Sequence, residues 1–321
     1  MAPDESSTDV PAPRPGPVPP ATLPHAPTAP SRPPLADDCW FLAGPTAAGK
    51  TALGVRMAER MGAEIVSVDS MAVYRGLDVG TAKPGAEERA RVPHHLVDVV
   101  DPAETWNVAR WLEEAGKAMA SIRARGRRIL FVGGTPLYLR ALRDGLAPLP
   151  GADPLLRERF HAEAERHGVG PLHDRLAALD PEAARRIHPH DLKRIVRALE
   201  VAHGVGAPLS AAFAPDPHPV LERRLMVVDL PRTLLRARID RRVEAMFAAG
   251  IVEETRAALA APGGIGPTAA QAAGYTEAID FIAGRITLAE AILRTQSRTR
   301  QLAKRQLTWL RSFPGAVWIA A

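Results

Sequence analysis

From about residue 39 to residue 147, short apolar runs alternate with segments whose large side chains recur every three or four positions. CWFLAG (39–44) predicts a first strand, and the glycine-rich turn after it opens a helical pattern over Lys50–Met61. EIVSVDS (64–70) alternates with a period of two and predicts a strand that delivers Asp69 at its tip. HHLVDVVDP (94–102) predicts another short strand, Val108–Arg125 a helix, and RRILFVGGT (127–135) an apolar strand closed by two glycines. PLYLRAL then restarts a helix at once. Strands alternating with helices imply a parallel sheet wound on both sides, with ligands at the carboxyl ends of its strands.

The pattern changes around PLPGAD (148–153). Residues 154–205 read as helices only, broken at HGVGP and HPHD, and LMVVDLP (225–231) returns to strand. A charged helix follows from Thr233, then a break at APGGIGP, a long helix over Thr287–Arg311, and a closing strand in AVWI. No internal repeat is found. The expected fold class is α/β, a doubly wound parallel sheet with a small all-helical insertion, P-loop NTPase-like because GPTAAGKT (44–51) follows the first strand with G-x-x-x-x-G-K-[ST] spacing. The core is expected at 37–149 and 206–321, the insertion at 150–205, and a disordered Pro/Ala-rich tail at 1–36.

Composition changes this picture only at the ends. Twelve of the 31 prolines fall within residues 1–34, where large apolar side chains are almost absent, so that segment cannot bury enough surface to offset its ordering entropy. Its acidic start, MAPDESSTDV, with no apolar stretch after it, does not read as a secretory signal. No apolar run approaches the ~20 residues of a membrane-spanning helix. The single cysteine, Cys39, excludes an internal disulfide and a cysteine metal site and fits a reducing cytoplasm. The formal charge is +5, and the 31 residues after Glu290 hold no acid but carry Arg294, Arg298, Arg300, Lys304, Arg305 and Arg311. On a helix, Leu288, Ile292, Leu302, Trp309 and Leu310 form one apolar sector. The basic residues fall in two rows away from it, a footprint for a phosphate backbone.

GPTAAGKT (44–51) fits G-x-x-x-x-G-K-[ST] at every position, after a strand and before a helix. Gly44 and Gly49 let backbone N–H groups converge on phosphate oxygens, Lys50 adds a point charge, and the Thr51 hydroxyl can hold Mg²⁺. A nucleotide hydrolase would carry a second, metal-holding acid at the end of an apolar strand. The best such strand ends instead in Gly133-Gly134-Thr135, a second close-approach turn whose Thr135 hydroxyl can bond a ligand, or a plain strand-to-helix turn. The acid that does stand at a strand tip is Asp69, which can ligate metal, accept a proton or cap the next turn. In DLKRIVRALEVAHG (191–204), Leu192, Ile195, Val196 and Leu199 share a face, with Lys193, Arg194 and Arg197 off it. His94, His95, His188 and His190 lack companions at zinc-ligand spacing.

Taken in order, GPTAAGKT, SVDSMAVYRGLDVGTAKP, PHHLVDVVDP, VGGTPLYLRAL, IHPHDLKRIVRALE and RQLAKRQLTWLR closely resemble the tRNA dimethylallyltransferase (tRNA isopentenyltransferase) family, over about residues 40–318. The resemblance implies that Gly44, Pro45, Thr46, Ala47, Ala48, Gly49, Lys50 and Thr51, with Arg242, hold the diphosphate of dimethylallyl diphosphate beside Mg²⁺. No phosphoryl group is then transferred, and the missing second acid is accounted for. Asp69 matches the family's general base toward N6 of the adenosine just 3′ of the anticodon, and Thr135 the threonine beside that amine. The implied tRNA contacts are Asp69, Ser70, Met71 and Ala72; Thr135; Arg157; Lys193, Arg194, Ile195, Val196 and Arg197. They continue with Gln271, Ala272, Ala273, Gly274, Tyr275 and Thr276, and with Lys304, Arg305, Gln306, Leu307, Thr308, Trp309, Leu310 and Arg311.

Two positions depart from the family pattern: Ala72 stands where glutamine is frequent, and Thr276 where a basic residue is common. The resemblance implies a bacterial-type, monomeric, cytoplasmic transferase acting on tRNA, without the zinc finger of eukaryotic members. A kinase built on the same phosphate loop, and an RNA-binding protein whose loop is a relic, are the alternatives. The lack of a second strand-end acid counts against the first. The intact loop beside Asp69 and Thr135 counts against the second.

Overall fold

The computed structural model describes residues 32–147, 149–206, 208–211 and 217–320. Along β1 (Cys39–Ala43), Cys39, Phe41 and Ala43 enter one apolar core while Trp40 and Leu42 enter another, because successive strand residues face opposite sides of a sheet. Five more strands join it: β2 (Ala63–Val68), β3 (His94–His95), β4 (Arg128–Gly133), β5 (Leu225–Asp229) and β6 (Val317–Ala320). Their order is β3-β2-β4-β1-β5-β6, with every pairing parallel. All of β2 is buried, as a parallel strand covered on both faces must be.

The strand order reverses between β1 and β4. The chain leaves β1 for β2 on one side and leaves β4 for β5 on the other, so the carboxyl ends of β1 and β4 flank a crevice. Both ends are glycine turns. A Cβ on Gly133 would stand 2.2 Å from the Val68 carbonyl oxygen, so the chain beyond β2 passes too close for any side chain there.

The helices in the first half are α1 (Lys50–Met61), α2 (Ala86–Arg91), α3 (Val108–Ala124) and α4 (Pro136–Asp144). Four more, α5 (Pro154–His167), α6 (Gly170–Leu179), α7 (Pro181–Arg186) and α8 (Leu192–Val205), follow one another without an intervening strand. Then come α9 (Pro219–Arg224), α10 (Arg232–Ala248) and α11 (Ile251–Ala260), a 3₁₀ turn at Ala269–Gln271, α12 (Tyr275–Ile282) and α13 (Leu288–Leu310). Val55 and Ala58 of α1, Leu235, Ile239 and Val243 of α10, and Ala303 and Leu307 of α13 cover one sheet face. Trp111, Met119 and Ile122 of α3 and Tyr138 and Leu139 of α4 cover the other. Among the described residues no helix is long and apolar enough to cross a membrane.

The chain divides into two compact units, one holding Ala147–Ala214 and the other Pro30–Leu146 with Pro215–Ala321. The smaller unit contains α5–α8 around Phe160, Leu172, Leu176, Ile195, Val196 and Leu199. Within this unit the buried Glu200 carboxylate binds Arg157 through two 3.0 Å hydrogen bonds and Arg197 at 2.6 Å. Burial works against that charge, but the arginines and the Asp153 N–H outweigh it and hold the carboxyl below its usual range.

One expectation holds in detail and two are corrected. The short strand expected within 94–102 is found at His94–His95, and it stops there because Leu96 and Asp98 adopt left-handed φ values of 61° and 58°. The tail expected over 1–36 lies outside the described residues up to 31, and its end is packed. Leu35 is buried, Arg123 donates to the Pro34 carbonyl, and Arg32 donates to that of Arg143. The apolar sector expected on α13 is only in part its buried face: Leu310 is buried and Ile292 packs against the core, but Leu288 is exposed, and Ala291, Thr295, Thr299, Ala303 and Gln306 are buried as well. Small residues let α13 lie close to its neighbours, and the buried polar ones find internal partners, such as Thr295 on the Ala291 carbonyl at 2.8 Å.

Candidate active site

The loop between β1 and α1 owes its shape to a few backbone angles. Gly44 approaches β5 so closely that a Cβ would stand 3.1 Å from Val228 Cβ, and Gly49, at φ 89°, turns the chain into α1. Ala47 also takes a left-handed φ of 63°. Lys50 reaches back over the loop, donating to the Pro45 carbonyl at 2.7 Å. Burial pushes its ammonium down to about 8, with Asp69 opposing the shift and Arg242 adding to it.

Asp69 follows β2 directly. Its Oδ1 accepts from the Met71 N–H at 2.8 Å and the Ala72 N–H at 3.3 Å, so it does cap the turn. No hydrogen bond to its second oxygen is found among the described residues. The Ser70 N–H donates to the Thr135 hydroxyl at 3.1 Å, tying this turn to the one after β4. Gly134 and Thr135 donate their N–H groups to the Val68 carbonyl at 3.1 and 3.0 Å.

Loop and acid face one space. A cavity of about 90 Å³ is lined by Thr46, Lys50, Thr51, Asp69, Arg242 and Gln306, among others. A second, of about 190 Å³, shares Thr46, Asp69, Arg242 and Gln306, and adds Thr135 and the apolar Met71, Val243, Met246 and Leu302. A charged half thus adjoins a half with apolar walls, and Asp69 borders both. Arg242 donates to the Thr46 hydroxyl at 3.2 Å and to the Thr81 carbonyl at 3.5 Å. Burial disfavours its charge and Asp69 favours it.

Two supports of this space carry no local sequence signal. The Gln306 carboxamide of α13 accepts from the Thr46 N–H at 2.9 Å and donates to the Gly134 carbonyl at 2.6 Å, joining the two glycine turns. Glu254 of α11 accepts from the Asp78 N–H at 2.8 Å, the Val79 N–H at 3.0 Å and the Tyr275 hydroxyl at 2.5 Å. It thereby fixes the loop whose continuation, Thr81 to Lys83, lines the first cavity. Gly80 is a glycine because a Cβ would stand 2.4 Å from the Tyr275 ring.

The positions implied to meet tRNA fall into two groups. Lys193, Arg194, Gln271, Lys304, Arg305, Thr308 and Arg311 are exposed. Ala72, Ile195, Val196, Ala272, Tyr275, Gln306, Leu307 and Leu310 are buried, so their side chains hold neighbours in place. Arg157 and Arg197 are bound to Glu200, and Thr276 donates to the Ala270 carbonyl at 2.6 Å. Gly274, at φ 101°, donates its N–H to Glu277; Ala273 borders the second cavity; Arg140 stacks on Trp309 at 5.6 Å. The two basic rows of α13 are not free of acids in space. Arg298 donates to Glu277 at 3.2 Å and to the Gln271 carbonyl at 2.7 Å, and Arg300 pairs with Asp240.

A phosphate loop at the switch point of a doubly wound parallel sheet, sharing its cavity with a strand-tip carboxylate, defines a P-loop α/β protein built to act on an anionic substrate. The family descriptions "IPP transferase" and "Isopentenyl transferase" match residues 72–313 and 38–94. The tRNA dimethylallyltransferase of Anaeromyxobacter dehalogenans (strain 2CP-C) is 53% identical over 284 residues, 87% of this chain and 94% of that one. The tRNA isopentenylpyrophosphate transferase of Bacillus halodurans superposes with a TM-score of 0.63 at 38% identity, covering 88% of this chain and 89% of that one. A eukaryotic dimethylallyltransferase acting on tRNA superposes with a TM-score of 0.67 at 25% identity, covering 87% and 73%. The chain belongs to the IPP transferase family.

Proposed function

We propose that this chain is a tRNA dimethylallyltransferase, moving the dimethylallyl group of dimethylallyl diphosphate to N6 of the adenosine immediately 3′ of the anticodon. The observation that carries the reading is the single cavity bordered by Lys50, Thr51 and Asp69. A cradle that anchors a leaving diphosphate and a carboxylate that readies a nucleophile must open on one space for transfer to occur. The N6 lone pair forms the new bond to C1 of the allylic group. The C1–O bond breaks with its electron pair passing to the diphosphate, and the N6 proton goes to the free oxygen of Asp69. An exocyclic adenine amine is a weak nucleophile, so removing its proton during attack accelerates the step by about 10²–10⁴-fold. Lys50, Arg242 and the loop N–H groups stabilise the charge that develops on the diphosphate.

Thr135 accepts from the Ser70 N–H and keeps its own proton to donate, which suits a place beside the reacting amine. The apolar walls formed by Met71, Val243, Met246 and Leu302 suit the allylic chain and the splayed base, which must leave its stack to enter. The Thr51 hydroxyl, which borders the first cavity beside Lys50, is a hard oxygen donor of the kind Mg²⁺ takes and would hold the ion. Held there, Mg²⁺ would neutralise part of the diphosphate charge. The enzyme acts as a monomer in the cytoplasm, where its tRNA substrate resides, and the exposed Lys304, Arg305 and Arg311 supply the phosphate contacts.

The test is to incubate the protein with Mg²⁺, labelled dimethylallyl diphosphate and an anticodon stem-loop bearing adenosine at that position. An isoprenoid mass increment on the RNA is expected. Phosphoryl transfer from ATP, with no increment from the allylic donor, would establish a kinase instead.

A further inference from the structure

Four residues before Arg242, on the same side of α10, Arg238 also turns toward the phosphate loop. Its Nη1 lies 3.7 Å from the point where a Cβ on Gly49 would stand. It lines a cavity of about 430 Å³ with Gly49, Lys50, Thr51, Glu88 and Arg242. Lys50, Thr51 and Arg242 border this cavity and the one that holds Asp69, so the two spaces meet at the loop. The outer one holds no Asp69.

Its charge is unbalanced. Glu88, the one lining acid, accepts from the Gly85 N–H at 2.8 Å as part of its helix cap. Lys83, which also lines it, is bound to Asp78 at 2.7 Å and Asp98 at 2.5 Å. Among the described residues no hydrogen bond or ion pair is found for the Arg238 side chain, whereas Arg241, on the solvent side of the same helix, donates to the Ala237 carbonyl. Three cations, Lys50, Arg238 and Arg242, converge on the positive end of α1, an arrangement that is unfavourable until an anion arrives.

We propose that Arg238 is a second diphosphate-binding arginine, holding the phosphoryl group distal to the allylic carbon while Lys50 and Arg242 hold the proximal one. This rests on the prenyl-transfer reading above. A diphosphate presents two centres of charge a few ångströms apart, and two guanidinium groups one helical turn apart match that spacing better than one. Charge accumulates on both phosphoryl groups as the C1–O bond breaks, so Arg238 lowers the barrier as well as binding the donor.

The experiment measures binding of inorganic pyrophosphate and of orthophosphate to the full chain with Mg²⁺, alongside kcat/KM for dimethylallyl diphosphate and KM for tRNA. Arg238→Ala is expected to weaken pyrophosphate by about ten- to a hundredfold, the loss of one charge-assisted contact. Orthophosphate binding and KM for tRNA stay unchanged, and kcat/KM for the donor falls with pyrophosphate affinity. Arg238→Lys recovers part of the loss, since an ammonium keeps the charge without the fork. Arg241→Ala behaves as wild type. Wild-type affinity for pyrophosphate in Arg238→Ala overturns the proposal. An equal loss of orthophosphate overturns it too, because that marks general damage to the loop. A wild-type protein that binds neither pyrophosphate nor the allylic donor fails the prenyl-transfer reading itself, and this inference with it.

Discussion

Gln306, near the end of the longest helix, donates to the carbonyl of Gly134 at 2.6 Å, across 172 residues of chain. Its other amide atom takes the Thr46 N–H, so one side chain fixes the distance between the phosphate loop and the turn that carries Thr135. Replacement by leucine keeps the bulk and leaves both backbone groups without their partner. The expected result is a stability loss of about 1–3 kcal/mol in urea unfolding. Prenyl transfer should fall more than RNA affinity does, because relative placement at the reacting centre is what suffers. Equal unfolding midpoints for Gln306→Leu and wild type would remove this role.

On the proposed reading Asp69 would serve as both turn cap and base, and two substitutions separate these roles. Asparagine keeps the Oδ1 acceptor for the Met71 and Ala72 N–H groups, but has no basic oxygen. Alanine loses both. Asp69→Asn should therefore retain stability and tRNA affinity while single-turnover modification drops by about 10²–10⁴-fold. Asp69→Ala should show the same rate defect plus about 1 kcal/mol of lost stability. Near-normal turnover in the asparagine variant would mean the carboxylate is only a cap.

Local pattern carried the sheet: the apolar runs CWFLA and RILFVG place their strands, and the glycines that end them mark the crevice. The phosphate loop and Asp69 were legible for the same reason, being short motifs at strand tips. Gln306 and Glu254 were not legible as supports of the cavity, because each acts on a partner far along the chain, and Arg238 was not legible as lining the loop. Glu254, for example, reaches Asp78 across 176 residues. The α13 face was legible only in part: Leu310 is buried as its period implies, but close packing of α13 also selected alanine, threonine and glutamine, which period alone does not assign to a core. The acid-free stretch after Glu290 misled similarly: Glu277 and Asp240, which bind Arg298 and Arg300, come from other helices.

Acid should reveal a tie at the far end of β2. Arg125 binds Glu64 at 2.8 and 2.6 Å and His95 adds 2.7 Å. Arg125 above all, with burial opposing and His95 helping, holds the carboxyl at about 2 against its ordinary 4.5. A carboxyl lowered in the folded state stabilises fully above its unfolded value, and that contribution is lost as pH falls from there through the folded one. Glu64→Gln should therefore be less stable than wild type near pH 6, and the gap should narrow near pH 3. A gap of constant size in urea unfolding across that range would show that the carboxylate's charge is not what matters.

The charges of α13 should divide by function once tRNA binding is measured against salt. Lys304 and Arg305 are exposed and have no acidic partner among the described residues, whereas Arg298 is engaged with Glu277 and the Gln271 carbonyl. A phosphate contact releases counterions, and each one lost should flatten the slope of log affinity against log salt by about one. Lys304→Ala with Arg305→Ala should thus weaken anticodon stem-loop binding and lower the slope by about two. Arg298→Ala should leave the slope unchanged and act through the Gln271–Thr276 segment, with a stability loss of about 1–3 kcal/mol from the unpaired Glu277. The same slope in the double variant as in wild type would mean that Lys304 and Arg305 are only solvated, and that the RNA is held by other residues.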